Sequence, residues 1–113
     1  MKIIDFRFRP NTPEIINGIK NSSMFKATCE AIGFDKRVPQ ALPEIVADLD
    51  RRGVELCVVS GRDCETTYGF PANNNSILEF CRAYPNKFLG FWGIDPHKVW
   101  FLNHIVLFAE TLI

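Results

Sequence analysis

One short stretch, residues 56–59, constrains the fold of this chain more than any other, because it reads Leu-Cys-Val-Val and is apolar throughout. A strand with one face in water alternates apolar and polar residues, whereas a strand covered on both faces is apolar at every position. The preceding segment has the apolar spacing of one helical face, carried by Leu42, Ile45, Val46 and Leu49. Pro43 suits its first turn and Gly53 its carboxyl-terminal cap. A helix that leads almost at once into a covered strand predicts an α/β protein with a parallel sheet.

The first strand is predicted from alternation over residues 2–9. A strict period of two places Ile4, Phe6 and Phe8 on one face of that strand. The opposite face then carries Ile3, Asp5, Arg7 and Arg9. Residues 10–41 form a long irregular connection to the next helix. Within it, a serine before Met24 is expected to cap a helix that ends at Gly33.

A second helix and a third strand complete the predicted order. Ser76 and Glu79 have the spacing of a capping box, and Pro85 stops the helix that they begin. Residues 88–95 are the expected third strand. The resulting parallel βαβαβ order has short helix-to-strand loops and implies right-handed crossovers.

Composition argues against several classes of partner. The 113 residues carry 13 basic and 13 acidic side chains and are 47% hydrophobic, which describes one soluble globular domain. Nucleic acid and anionic membranes both require an excess of basic residues, so neither is expected as a partner. Charges at Asp5, Arg7 and Arg9 interrupt any signal-peptide core. With four cysteines and no C-x-x-C pair, the chain is expected to be cytoplasmic with reduced thiols.

Residues 99–113 differ in character from the rest of the chain, because they are almost wholly apolar. At helical spacing their few polar side chains cluster on one narrow stripe. The segment is shorter than the roughly 20 residues of a membrane span and contains Asn103 and His104. We expect it to be buried against the sheet or against another subunit.

Candidate site residues follow from the predicted topology, because parallel α/β folds bind ligands beyond the carboxyl ends of their strands. Arg7 and Arg9 end the first strand, Arg62 and Asp63 follow the second, and Asp95 ends the third. The arginines are candidates for binding an anionic group of a substrate. The two aspartates are the candidate catalytic bases.

Each of these residues also has a plain structural interpretation. Arg7 can form an ion pair with Asp5, and Arg62 with Asp63 can be an ordinary solvated turn after Gly61. An aspartate before proline commonly starts a turn, which applies to Asp95. The three asparagines of residues 73–75 are expected to serve as helix-capping and turn residues.

Metal binding is not expected from the residues themselves. His97 and His104 are the only histidines, and neither has a second ligand at a suitable spacing. The sequence contains no nucleophile-elbow, Walker or dinucleotide-binding motif.

Four stretches together resemble the amidohydrolase-related proteins, which are metal-dependent hydrolases and decarboxylases built on a TIM barrel. They are residues 3–10 (IIDFRFRP), residues 49–62 (LDRRGVELCVVSGR), residues 74–77 (NNSI) and residues 84–96 (YPNKFLGFWGIDP). The resemblance implies that residues 1–96 are the first three strands of a (β/α)8 barrel and that residues 97–113 are a divergent apolar tail. Because such a barrel needs about 250 residues, it also implies an incomplete barrel.

The resemblance further implies a divalent metal, commonly zinc, held by an H-x-H pair at the end of the first strand. In this sequence Arg7 and Arg9 stand at those positions. A guanidinium offers no lone pair and repels a cation, so the chain resembles an R-x-R-P branch without these ligands and with no evident cofactor.

Two functions remain open at this point. The first is a truncated amidohydrolase-like hydrolase that breaks a C–N or C–O bond, or decarboxylates, in a small anionic substrate. The alternative is a catalytically inactive barrel fragment that self-associates through its open sheet edge and apolar tail.

Overall fold

The computed structural model describes residues 1–98, which form a three-stranded sheet and five α-helices. In chain order these are β1 (Ile3–Phe8), α1 (Pro13–Lys20), α2 (Lys26–Ala31), α3 (Leu42–Arg51), β2 (Val54–Ser60), α4 (Glu65–Tyr68), α5 (Asn74–Ala83) and β3 (Phe88–Phe91). Two short 3-10 turns, Ser23–Phe25 and Phe34–Lys36, flank α2. None of the described helices is long and apolar enough to cross a membrane.

The sheet confirms the predicted parallel βαβαβ arrangement. Its strand order is β1-β2-β3, and β2 pairs in parallel with both neighbours. Cys57, Val58 and Val59 are all buried in this central strand, as the apolar run predicts. The predicted apolar tail, residues 99–113, and its expected burial lie outside the described residues.

Helix α3 forms where its sequence predicts. Proline occupies its first turn, and the Glu44 carboxylate accepts a hydrogen bond from the backbone N of Ala41 at 3.2 Å. That bond satisfies one of the donors that a helix start otherwise leaves free. Gly53 follows the helix at φ +75°, a left-handed conformation that glycine adopts without steric cost. The turn delivers the chain directly into β2.

Helices α3 and α5 pack on the same face of the sheet, and the core lies between them and the strands. Its fully buried members are Ile45, Val46, Leu49, Cys57, Val59, Ile77, Phe80 and Phe88. Burying one such large apolar side chain contributes about 1.5–3 kcal/mol. The core therefore fixes both helices relative to the carboxyl ends of β2 and β3.

The predicted face of Phe8 is wrong. Asp5 pairs with Cys57 and Phe8 pairs with Val59, so β1 contains one residue more than β2 between these two pairs. Such a bulge reverses the inside-outside alternation beyond it. Phe8 consequently lies on the helix-covered face, where its ring is 6.2 Å from the ring of Phe88.

Three predicted element boundaries are also wrong. Helix α5 begins at Asn74 with Asn73 as its cap residue, so Ser76 lies inside the first turn and does not cap it. Strand β3 ends at Phe91, because the chain then leaves the sheet to cross the loop after β2 and to donate a hydrogen bond from Gly93 N to Asn74 of α5. The expected helix over residues 22–33 is a 3-10 turn followed by the shorter α2.

The Cys57 thiol is expected to resist modification in the native protein. Burial, assisted by the nearby Asp5 carboxylate, raises the pKa of this thiol to about 11, and the residue is 0% exposed. At pH 8 only about one molecule in a thousand would carry a Cys57 thiolate, which is the reactive form. Peptide mass spectrometry after brief iodoacetamide treatment should find Cys57 alkylated only in denaturant. Equal native labelling of Cys57 and the half-buried Cys64 would contradict this.

Candidate functional site at the carboxyl edge of the sheet

Four polar residues lie in the loops beyond the carboxyl ends of β2 and β3, and we call them the carboxyl-edge cluster. They are Arg62, Asp63, Asp95 and Lys98. The sequence predicts Arg62, Asp63 and Asp95 as site residues, whereas Lys98 is identified only from the structure. Both aspartates are buried, at 8% and 2% exposure. A buried carboxylate needs a cation or hydrogen-bond donors, so each must be supported by its surroundings.

Lys98 supports Asp63. Its Nζ is 2.7 Å from Asp63 Oδ1 and 2.9 Å from Glu65 Oε2, and little of either side chain in the Asp63 pair is exposed. The hydrogen bond to Asp63 raises the pKa of Lys98, against the opposing effect of burial. Lys98 therefore stays charged near neutral pH. The two are 35 residues apart, and no spacing in the sequence signals the pairing.

Backbone groups support Asp95. Its Oδ2 accepts a hydrogen bond from the backbone N of Thr66, and its Oδ1 accepts one from the backbone N of His97, both at 3.0 Å. Hydrogen bonds from Thr66, followed by the bond from His97, lower the pKa of Asp95. Asp95 thus joins the loop after β3 to the first turn of α4.

The guanidinium of Arg62 lies over an aromatic ring. Its Cζ is 4.7 Å from the ring centre of Phe70, which is itself buried and stacked on Phe25 at 4.5 Å. Within residues 1–98, the buried Nε of Arg62 has no hydrogen-bond partner. Stacking on Phe70 orients the planar guanidinium, and its Nε–H is a hydrogen-bond donor without an acceptor among the described residues.

Two asparagines at the start of α5 hold the loops of this edge together. Asn73 Oδ1 accepts from the backbone N of Arg62 at 2.5 Å, and the backbone N of Asn73 donates to the Arg62 carbonyl at 3.0 Å. Asn74 makes the same two-point contact with Gly93, donating from Nδ2 to its carbonyl at 2.7 Å and accepting from its N at 2.9 Å. These residues were expected only to cap and turn. The run of three asparagines is the sequence signal that could indicate this role, but only the fold shows that the amides of Asn73 and Asn74 bind two different loops.

Gly93 lies where the loop after β3 crosses the loop after β2. A Cβ on Gly93 would be 2.6 Å from the Cα of Arg62, 2.7 Å from the backbone N of Asp63 and 2.7 Å from the Gly61 carbonyl oxygen. All three atoms belong to the backbone, which cannot swing aside as a side chain can. The close crossing sets the position of Arg62 and Asp63 relative to β3.

The other two predicted arginines are not joined to the carboxyl-edge cluster by any described contact. Arg7 is exposed, and Asp5 accepts a hydrogen bond from its backbone N at 3.0 Å rather than from its guanidinium. Arg9 lines a separate cavity of about 210 Å³ with Gln40 and Asp48. That Arg7, Arg9 and Arg62 together bind one anionic group of a substrate stays a prediction.

A larger open groove of about 620 Å³ lies at the opposite, amino edge of the sheet. Its lysines are already matched, because Lys2 Nζ is 2.8 Å from Glu55 Oε1 and Lys87 pairs with Asp50. The opposite charges within each pair neutralise one another and leave no charge in excess for a ligand. Ligand chemistry is therefore better sought at the carboxyl edge.

The metal implied by the family resemblance does not fit the described residues. Arginine stands at both expected ligand positions of β1 and supplies no lone pair. Residues 1–98 contain no group of three or more His, Cys, Asp or Glu side chains that could hold an ion.

Comparison of this chain with protein-family models, with curated proteins and with solved structures finds no match. The described arrangement places polar groups beyond the carboxyl ends of parallel strands, where α/β proteins bind ligands.

Proposed function

We propose that the carboxyl-edge cluster binds a small anionic substrate and serves an amidohydrolase-like reaction, the hydrolysis of a C–N or C–O bond or a decarboxylation. The order β1-β2-β3 with α3 and α5 on one face is compatible with the first three strands of a (β/α)8 barrel. In such barrels, the substrate lies at the edge where Arg62, Asp63 and Asp95 are found.

The main support for this proposal is the buried Nε of Arg62, which has no hydrogen-bond partner within residues 1–98. A buried N–H without an acceptor costs about 1–3 kcal/mol, and a carboxylate or phosphate oxygen would remove that cost. The guanidinium is permanently cationic and is oriented by Phe70, so little further ordering is required on binding. These properties suit the anchoring of an anionic group.

The two aspartates are assigned different tasks. Lys98 engages Oδ1 of Asp63, which leaves Oδ2 as the atom that would take a proton from the attacking water. In hydrolysis that water oxygen bonds to the carbonyl carbon, the C–N or C–O bond breaks, and the proton passes to the departing nitrogen or oxygen. Asp95 uses both oxygens to accept backbone N–H groups, so we assign it to holding α4 in position. Its predicted catalytic role stays a prediction.

Replacement of Arg62 tests the proposal directly. Arg62→Gln removes the cation, and we expect it to weaken binding of benzoate about tenfold to a hundredfold, as for loss of a charge-assisted hydrogen bond. Binding is measured by NMR titration, and turnover is measured with panels of lactones, amides and aromatic carboxylates. Circular dichroism confirms that the variant is folded.

Arg37→Gln is the matched control, because Arg37 also lies over a ring, 5.0 Å from the centre of Phe34, but outside the carboxyl-edge cluster. We expect it to leave binding and turnover unchanged. Equal losses in both variants would show a general charge effect and contradict the assigned role of Arg62. If no anion binds and no panel member is converted, the proposed function is wrong.

A further inference from the structure

A cavity of about 210 Å³ lies between the end of β1 and helix α3, and we call it the α3 cavity. Ile45, Leu49 and Arg52 line it from α3, because their spacing of four and three residues places them on one face of the helix. Phe8 and Arg9 line it from the end of β1. Ile45 and Leu49 are buried whereas both arginines are exposed, so the cavity has an apolar base and a cationic mouth.

The two guanidiniums at this mouth have no anionic partner among the described residues. Neither Arg9 nor Arg52 takes part in any of the described ion pairs. Asp48 also lines the cavity, but its Oδ1 pairs with Arg51 and its Oδ2 accepts a hydrogen bond from Gln40 Nε2 at 3.2 Å. The carboxyl end of α3 adds only about half a negative charge, which is too little to neutralise two arginines. The α3 cavity therefore keeps an excess of positive charge.

We propose that the α3 cavity binds a small organic phosphate monoester. The phosphate group carries a charge of about −1.5 to −2 near neutral pH and offers three acceptor oxygens, which matches two uncompensated cations. Arg9 follows β1 and Arg52 ends α3, so the two guanidiniums belong to different elements. A tetrahedral phosphate presents oxygens to both, whereas a planar carboxylate is satisfied by a single guanidinium fork.

The size and the base of the cavity limit the rest of the ligand. The volume is below the roughly 300 Å³ at which pockets for drug-sized molecules begin, so the body of the ester must be small. Phe8 and Ile45 offer it apolar contacts, and the Asn11 side chain, which makes none of the described hydrogen bonds, offers a polar one. The inference is independent of the proposed hydrolase chemistry, because it assigns Arg9 to a different site from that of Arg62.

NMR titration of the full chain with phenyl phosphate tests this inference. We expect saturable binding that shifts the side-chain amide signals of Asn11 and Gln40, which line the cavity. Arg9→Gln and Arg52→Gln should each raise the dissociation constant about tenfold to a hundredfold, as for loss of a charge-assisted hydrogen bond. Arg82→Gln is the matched control, since Arg82 is exposed in the last turn of α5, forms none of the described ion pairs and does not line the cavity. It should bind phenyl phosphate like the unsubstituted chain.

A parallel titration with inorganic phosphate separates the organic ester from the free ion. We expect weaker binding of inorganic phosphate, because only the ester buries a ring on the apolar base, and equal affinities would overturn the assignment to an ester. Absence of saturable phenyl phosphate binding, or equal weakening by Arg82→Gln, overturns the inference. Binding that is lost in Arg62→Gln but kept in Arg9→Gln and Arg52→Gln also overturns it, and supports the carboxyl-edge cluster as the anion site instead.

Discussion

Gly93→Ala is expected to lower the free energy of unfolding by about 3 kcal/mol, one of the two largest effects predicted for this protein. The new methyl group would approach the Cα of Arg62 to 2.6 Å and the backbone N of Asp63 to 2.7 Å, distances at which atoms must move apart. Overpacking against backbone alone costs about 1–3 kcal/mol. Separating the two loops also strains both hydrogen bonds between Gly93 and Asn74, each worth about 1 kcal/mol.

Gly18→Ala provides a control with the opposite expected sign. Gly18 lies inside α1, and a Cβ on it would meet no heavy atom within 4 Å. Alanine in an exposed helix interior is favoured over glycine by about 0.5–1 kcal/mol, so this variant should be slightly more stable. Urea unfolding followed by circular dichroism measures both variants. If Gly93→Ala unfolds at the same urea concentration as the unsubstituted chain, the close loop crossing is not present in solution.

Asn74→Ala is expected to lower the free energy of unfolding by a similar amount, about 3 kcal/mol. The Asn74 side chain is buried, and its amide satisfies both the N–H and the carbonyl of Gly93. Alanine would leave these two backbone groups without partners, and each unsatisfied buried group costs about 1–3 kcal/mol. The loop after β3 would then lose its attachment to α5.

Asn75→Ala is the matched control for this substitution. Asn75 is the next residue of α5, is exposed and makes none of the described side-chain hydrogen bonds. Both variants change helix propensity by the same amount, so the difference between their unfolding free energies isolates the amide contact. Equal stabilities in urea would refute the structural role of Asn74. A further expectation is that Asn74→Ala weakens benzoate binding through Arg62, because Asn73 and Asn74 hold neighbouring loops.

Periodicity was sufficient to predict the central strand β2 and helix α3. Residues 56–59 predict a covered central strand, and the spacing from Leu42 to Leu49 predicts α3, because burial of an apolar face depends on pattern alone. Phe8 shows where that logic ends. One extra residue in β1 reverses its face, and a bulge depends on the pairing with β2, which the sequence of β1 does not contain.

The candidate site likewise contains residues that the sequence could place and one that it could not. Arg62, Asp63 and Asp95 could be placed at the carboxyl edge, because parallel topology brings strand ends together. Lys98 could not, since its pairing with Asp63 depends on how two loops approach in space. Ser76 was expected to cap α5, but the helix begins two residues earlier, where the chain gains the contacts of Asn73 and Asn74 with both loops.

Local chemistry by itself determined that this chain forms a parallel α/β sheet and that arginines, which offer no lone pair to a metal ion, stand at the end of its first strand. Those features reside in consecutive residues, whose burial and ligand properties do not depend on distant partners. Only the tertiary structure decided that Asn74 and Gly93 set the carboxyl edge, that Lys98 holds Asp63, and that Phe8 lies on the helix-covered face. Each of these depends on contacts or shared faces between segments far apart in the chain, and such relations are fixed only when the strands take their register and the loops cross.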